Sequence, residues 1–249
     1  MRTIALVPAR SGSKRVPGKN VRRLGSHPLL AYSVAAALES AVFDDVLVST
    51  DSDEYAAIAR HYGADVPFLR PAELAGDASP DIEWVRDALD HLADDGQVYD
   101  AFAILRPTSP FRSADTIRRA VEAFLAAPSA DSLRAVEPCT QHPGKMWRIS
   151  GGLLHPVLPV QPGGTPWHSQ PTQSLPPVWV QNASLEIAWC RCPLEQGSIA
   201  GDVMIAFETT FPEGLDVNDE RDWLWAEHLL ATGVARLPPV AAEPARSAG

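Results

Sequence analysis

The stretch Thr3-Ile4-Ala5-Leu6-Val7-Pro8-Ala9-Arg10-Ser11-Gly12-Ser13-Lys14-Arg15-Val16-Pro17-Gly18-Lys19-Asn20 decides the fold. Thr3 to Val7 is a short continuous run with no apolar/polar alternation, the pattern of a parallel strand buried on both faces. A loop carrying four cations, Arg10, Lys14, Arg15 and Lys19, follows at once among Gly and Ser. Small residues let backbone N–H groups approach phosphate oxygens, and Lys or Arg neutralises them. The loop is not a Walker A sequence, because the Gly-Lys-Ser/Thr ending is absent, and it lacks Gly-x-Gly-x-x-Gly. A solvated basic turn would carry the same charge, but the position directly after a buried strand favours phosphate.

Outward from this loop, strands and helices alternate. Pro28 to Leu38 reads as a helix with Pro in its first turn, Val46 to Ser49 as a buried strand, and Asp53 to Tyr62 as a helix stopped by Gly63. Helices are expected over Asp81–Leu92, Ala114–Leu125 and Asp219–Leu230, and strands over Ala101–Leu105, Leu133–Val136, Ser184–Cys190 and Val203–Phe207. This order predicts an α/β, Rossmann-like fold around a mixed, mainly parallel sheet.

From Cys139 to Pro177 the pattern breaks into Pro, Gly, Gln and His. The expected division is a catalytic domain of residues 1–138 plus 178–237, an inserted arm of residues 139–177, and a disordered tail of residues 238–249 rich in Ala and Pro. Met146, Trp147, Leu153, Leu154 and Trp167 in the arm are apolar side chains that a monomer would expose, so a homodimer surface is expected there.

Composition narrows the partners. The 249 residues, 45% of them hydrophobic, suffice for one large domain with a small appendage. Twenty-one basic against thirty-one acidic residues give a net charge of -10, which offers no support for a nucleic-acid or anionic-membrane partner. Ile4 to Val7, cut by Pro8, is too short for a signal or membrane segment, so a cytoplasmic protein is expected. Cys139, Cys190 and Cys192 cannot all pair and have poor zinc spacing, which makes them reduced structural thiols. His27, His61, His91 and His228 are scattered, without Ser-His-Asp or Cys-His spacing.

The phosphate loop, Ser49-Thr50-Asp51, Leu69-Arg70-Pro71-Ala72-Glu73-Leu74-Ala75-Gly76-Asp77 and Leu105-Arg106-Pro107-Thr108-Ser109-Pro110-Phe111-Arg112 occur in that order, followed by His142-Pro143, Lys145, Asn182 and Asp216-Val217-Asn218. In this order they resemble the cytidylyltransferases that make CMP-sialic acid and related CMP-sugar acids. The resemblance implies a CTP-dependent nucleotidyltransferase that releases pyrophosphate. It implies CTP contacts from Arg10, Ser11, Gly12, Ser13, Lys14, Lys19, Asn20, Arg70 and Ser79, with Arg10 and Lys19 catalytic. It also implies a magnesium or manganese ion on Asp216, itself counted as catalytic, with Asn218 either a second ligand or the N-cap of the following helix. Arg70 has a plainer reading as the salt-bridge partner of Glu73 or Asp77.

Acceptor contacts are implied for Arg106, Thr108, Ser109, Lys145, Asn182 and Glu186. Here the chain departs from the family. Arg106 stands where the family has Gln, Thr172 where it has an Arg that grips the sugar carboxylate, and Glu186 where Tyr is common. One anion clamp is lost and another gained, so two acceptors stay open: a sialic-acid-like or other keto-deoxy sugar acid, and a small phosphonate such as phosphonoformate. Glu186 could instead neutralise Arg106. A non-catalytic nucleotide-binding homologue and a nucleotidyltransferase for another base are the rival classes.

Overall fold

The computed structural model describes residues 1–159 and 163–240. Among the described residues, ten strands and six α-helices follow one another as β1 (Thr3–Pro8), β2 (Arg23–Leu24), β3 (His27–Pro28), α1 (Leu29–Ser40), β4 (Asp45–Ser49), α2 (Asp53–His61), α3 (Asp81–Asp94), β5 (Ala101–Ile104), α4 (Ala114–Leu125), β6 (Ser132–Pro138), β7 (Trp147–Ser150), β8 (Leu153–Pro156), β9 (Trp179–Trp189), α5 (Arg191–Glu195), β10 (Met204–Glu208) and α6 (Glu220–Ala231). The central sheet has the order β10-β6-β9-β5-β1-β4. β1 runs parallel to β4 and β5, whereas β9 is antiparallel to β5 with Ile104 opposite Glu186.

Alternation along buried strands splits the core into two layers. Ala5 and Val7 of β1 face the same way as Val46, Val48, Ala103 and Ile187, against residues of α1, α2 and α4. Ile4 and Leu6 face the other way with Leu47, Phe102 and Ile104, against Trp84, Val85, Leu89 and Leu92 of α3. Helices on both faces are why β1 reads as an unbroken apolar run. Two caps fix the helix starts at the sheet edge: Ser52 Oγ accepts from Tyr55 N–H, and Ser113 closes a capping box with Thr116. A third cluster matters for the site. Val16 and Leu24 pack with Phe111, Val217, Trp223 and Leu229, bringing the segment before α6 against the chain that follows the phosphate loop.

Chain contacts define two compact units, Met1–Ala135 with the chain from Asn182 onward, and Val136–Gln181. The second unit holds a two-stranded hairpin, β7 with β8, turning at Gly151 and Gly152, both at positive φ. In it, His142 Nδ1 accepts from Gly144 N–H, so Nε2 carries the proton donated to the Pro176 carbonyl. Trp167, expected exposed, is half-buried: a Cβ on Gly144 would lie 2.8 Å from its ring. Of the tail expected from residue 238, Pro238 is buried and Val240 packs on the third cluster, while residues 241–249 lie outside the described ones.

Candidate active site

The sheet positions a cleft at the carboxyl ends of β1 and β5, the usual ligand side of an open α/β sheet. Its volume is about 280 Å³. Arg10, Ser13, Lys19, Asn20, Arg70, Ser79, Arg106 and Thr108, eight residues singled out in the sequence, line it together. Leu74, Asp77, Asp81 and Trp84 line it too and were not among the residues given a site role.

The triplet Ser49-Thr50-Asp51 at the end of β4 anchors two walls. Ala9 N–H donates to the Ser49 carbonyl at 2.9 Å. Asp51 takes both polar hydrogens of Ser11, the backbone N–H at 2.7 Å and the hydroxyl at 2.9 Å. The opposite wall hangs from the same place: Arg70 N–H donates to the Thr50 carbonyl, Nε to Ser49 Oγ at 2.9 Å, and Nη2 to the Ser49 carbonyl. Arg70 is buried with its guanidinium over the Trp84 ring, and desolvation pushes its pKa down to about 10. It makes neither of the salt bridges to Glu73 or Asp77 considered for it; among the described residues, Ser49 is its side-chain hydrogen-bond partner.

Five further contacts set the phosphate loop. Arg10 Nη2 lies 3.0 Å from Asp77 Oδ1, and Nη1 donates to the Ala75 carbonyl at 3.2 Å. Lys14 Nζ pairs with the other oxygen of Asp77. Asn20 is buried and donates to the Arg10 carbonyl at 3.0 Å. Lys19 Nζ donates to the Val217 carbonyl at 2.7 Å; burial lowers its pKa, and Asp216 only partly offsets this. Gly12 is exposed, with nothing near an added Cβ, whereas one on Gly76 would meet Ser79 Oγ at 3.1 Å. Ser79 Oγ donates to the Glu73 carbonyl, closing that turn.

The segment 216–218 sits beside Lys19. Asp216 Oδ2 accepts from Asn218 Nδ2 at 2.5 Å, while its buried Oδ1 has no hydrogen-bond partner among the described residues. An orphaned carboxylate oxygen next to a phosphate-type loop fits a hard divalent cation that shares its other ligands with phosphate and water. Groups of three or more His, Cys, Asp or Glu able to hold a metal are absent among the described residues, so such an ion would lean on its substrate. Asn218 is not the helix cap. Asp219 caps α6, its Oδ1 accepting from Arg221 and Asp222 N–H, and Asp222 completes a capping box. Asn218 Oδ1 instead accepts from Arg15 at 3.3 Å.

At the turn after β5, Arg106 Nη2 reaches Asp81 Oδ2 at 2.6 Å and Glu186 Oε1 at 2.7 Å, so the neighbouring carboxylate considered for it is present. Arg134, not flagged in the sequence, takes the other oxygen of buried Glu186. Arg112 is fully buried, bonded to the Arg106 and Ser184 carbonyls and to Ser33 Oγ, which fixes the turn that carries Arg106; burial and then Arg106 push its pKa to about 9. The Thr108 carbonyl accepts from Val217 N–H at 2.8 Å, and the Ser109 hydroxyl is buried without a partner among the described residues. Asn182 does not line the cleft; its Nδ2 bonds Thr209 Oγ1 at 2.8 Å. Lys145 is exposed in the second unit.

Fold and cleft together define a nucleotidyltransferase of the α/β type. A solved structure titled CMP:2-keto-3-deoxy-manno-octonic acid synthetase complexed with CTP superposes with a TM-score of 0.68 at 11% identity, over 94% of this chain and all of that one, a likeness of fold. The cytidylyltransferase family model matches residues 4–143. CMP-N,N'-diacetyllegionaminic acid synthase of Legionella pneumophila is 35% identical over 92% of this chain and 97% of its own length. N-acylneuraminate cytidylyltransferase of Escherichia coli is 49% identical over 50% of this chain and 29% of its own. The chain belongs to the cytidylyltransferase family and is a CTP-dependent nucleotidyltransferase.

Proposed function

We propose that the enzyme transfers CMP from CTP to a keto-deoxy sugar acid of the sialic-acid type. The observation that carries this is the convergence of Arg10, Lys19 and Arg70 on one cleft at the strand ends. The two curated relatives act, by name, on legionaminic acid and acylneuraminate, which weighs against the phosphonate acceptor. So does the pairing of Arg106 with Asp81 and Glu186, because a cation already matched by carboxylates gives a dianion little advantage.

In this reading a sugar hydroxyl attacks the α-phosphorus in line. The bond from phosphorus to the bridging oxygen breaks, pyrophosphate leaves, and the hydroxyl proton goes to solvent. Arg10 and Lys19 offset charge growing on the departing pyrophosphate, and Asn20 and Arg70 shape the base end of the cleft. Magnesium or manganese on Asp216 would draw charge from the phosphate oxygens. The enzyme works in the cytoplasm as a homodimer paired through the second unit, where Ile149, Leu153 and Leu154 are 77%, 66% and 58% exposed.

The test is pyrophosphate release from CTP with a panel of sugar acids and phosphonates, the product read by mass spectrometry. Lys19→Ala or Arg10→Ala should cost at least about a hundredfold in turnover with circular dichroism unchanged. A variant with near-normal turnover would remove that residue from the site, and turnover with phosphonoformate alone would reverse the acceptor.

A further inference from the structure

Asp77, given no site role above, sits on two of the four phosphate-loop cations, Arg10 and Lys14. Its Oδ1 takes Arg10 at 3.0 Å and its Oδ2 takes Lys14. Among the described residues its carboxylate has no other partner. We propose that Asp77 stands in for nucleotide phosphate in the nucleotide-free enzyme, so that CTP binds by displacing it from Arg10 and Lys14. The inference rests on the reading of this cleft as the CTP site.

The comparison with Asp51 separates a stand-in from a brace. Asp51 takes a backbone N–H and a hydroxyl from Ser11, bonds that define the loop's path. Asp77 binds only side-chain ends, is 44% exposed, and follows a short 3-10 turn (Ala72–Ala75) and Gly76 rather than a long helix or strand. Exposed ion pairs contribute little to folding, so structural need is a weak explanation of the contact. A ligand need is a stronger one: without an anion, Arg10 and Lys14 would repel each other within their loop, and a carboxylate placing one oxygen on each matches what two phosphate oxygens would do. A triphosphate carries more charge and more acceptor oxygens, so it wins the exchange. The consequence is an affinity set below what the cations alone would give, with easier release of product pyrophosphate.

Asp77→Asn keeps the shape and removes the competing charge. Titration calorimetry in metal-free buffer should show inorganic pyrophosphate and CTP binding Asp77→Asn about two- to fivefold more tightly than wild type, the range open to an exposed pair. The CTP Michaelis constant should fall by a similar factor while that of the acceptor holds. Asp77→Ser should behave alike, and circular dichroism should match wild type for both. Unchanged or weaker binding in folded variants overturns the proposal, and weaker binding with lost turnover would make Asp77 a substrate-holding residue instead. Wild type that binds neither CTP nor pyrophosphate, with Arg10→Ala indistinguishable from it, would overturn the reading of the cleft as well. Binding that Arg10→Ala weakens but Asp77→Asn does not tighten would overturn the Asp77 role alone.

Discussion

Arg106 and Glu186, eighty residues apart in the chain, meet at 2.7 Å between Nη2 and Oε1. The contact joins the turn after β5 to its antiparallel neighbour β9, and Arg134 closes the other side of the same carboxylate. Glu186 is nearly buried, so two guanidiniums offset a desolvation cost that one exposed partner would not. Arg106→Gln should therefore lower unfolding stability by about 1–3 kcal/mol, measured by urea titration. Its kinetic effect separates a brace from an acceptor contact. We expect the acceptor Michaelis constant to rise several-fold more than that of CTP. Equal effects on the two substrates would leave Arg106 purely structural.

Asp81 gives the stability a pH dependence. Burial alone would raise its carboxyl, but hydrogen bonds from Arg106 and the Trp84 indole N–H, with the charge of Arg106, hold it below its usual 3.8. A depressed carboxyl stabilises the fold above its unfolded pKa, and the contribution fades as pH falls through the folded value. Wild type should lose this increment below about pH 4, whereas Asp81→Asn should lack it at neutral pH and show a shallower acid slope. The side chain is 37% exposed, so screening limits the difference to about 1 kcal/mol or less. Parallel slopes in urea titrations at pH 7 and pH 3 would refute the assignment.

Local signals were legible in the sequence, and distant pairings were not. Ile4 to Val7 announced β1 because a strand covered on both faces needs no polar residue, and the phosphate loop followed from its position after it. Asp77 and Asp51 were quoted within motifs but gained no role, since the partner of Asp51 lies forty residues back in the chain. Arg134 became visible only through the pairing of Ile104 with Glu186. The hairpin of β7 and β8 was missed although Gly151-Gly152 signals a tight turn, because its strands are four residues each and exposed, and only Trp147–Ser150 alternates. The cap was misplaced by one residue: Asn218 and Asp219 both suit an N-cap, and the capping box with Asp222 decides for Asp219.

The apolar face of the hairpin predicts the assembly. Sedimentation velocity at micromolar concentration should show a dimer, and Leu154→Asp with Ile149→Asp, two residues paired on one face of the hairpin, should give a folded monomer, because charge on a buried apolar patch costs more than the patch contributes. A wild-type monomer at that concentration would sink the expectation.

Asp216 and Asn218 should separate a metal ligand from the residue that orients it. Asp216 has an orphaned buried oxygen, and its other oxygen is held by Asn218 at 2.5 Å, so the two side chains act in series rather than side by side. Activity should require magnesium or manganese, disappear with a chelator and return on readdition. Asp216→Ala should abolish it, since a neutral methyl offers the cation nothing. Asn218→Ala should be milder, a loss of roughly tenfold that excess metal partly restores, because the amide positions the carboxylate without being needed for its charge. Asn218 does not cap the helix. That role belongs to Asp219, whose change to Ala should lower stability and leave the metal requirement unaltered. Equal catalytic collapse in Asp216→Ala and Asn218→Ala, unrelieved by metal and with stability unchanged, would mean that Asn218 is itself a ligand.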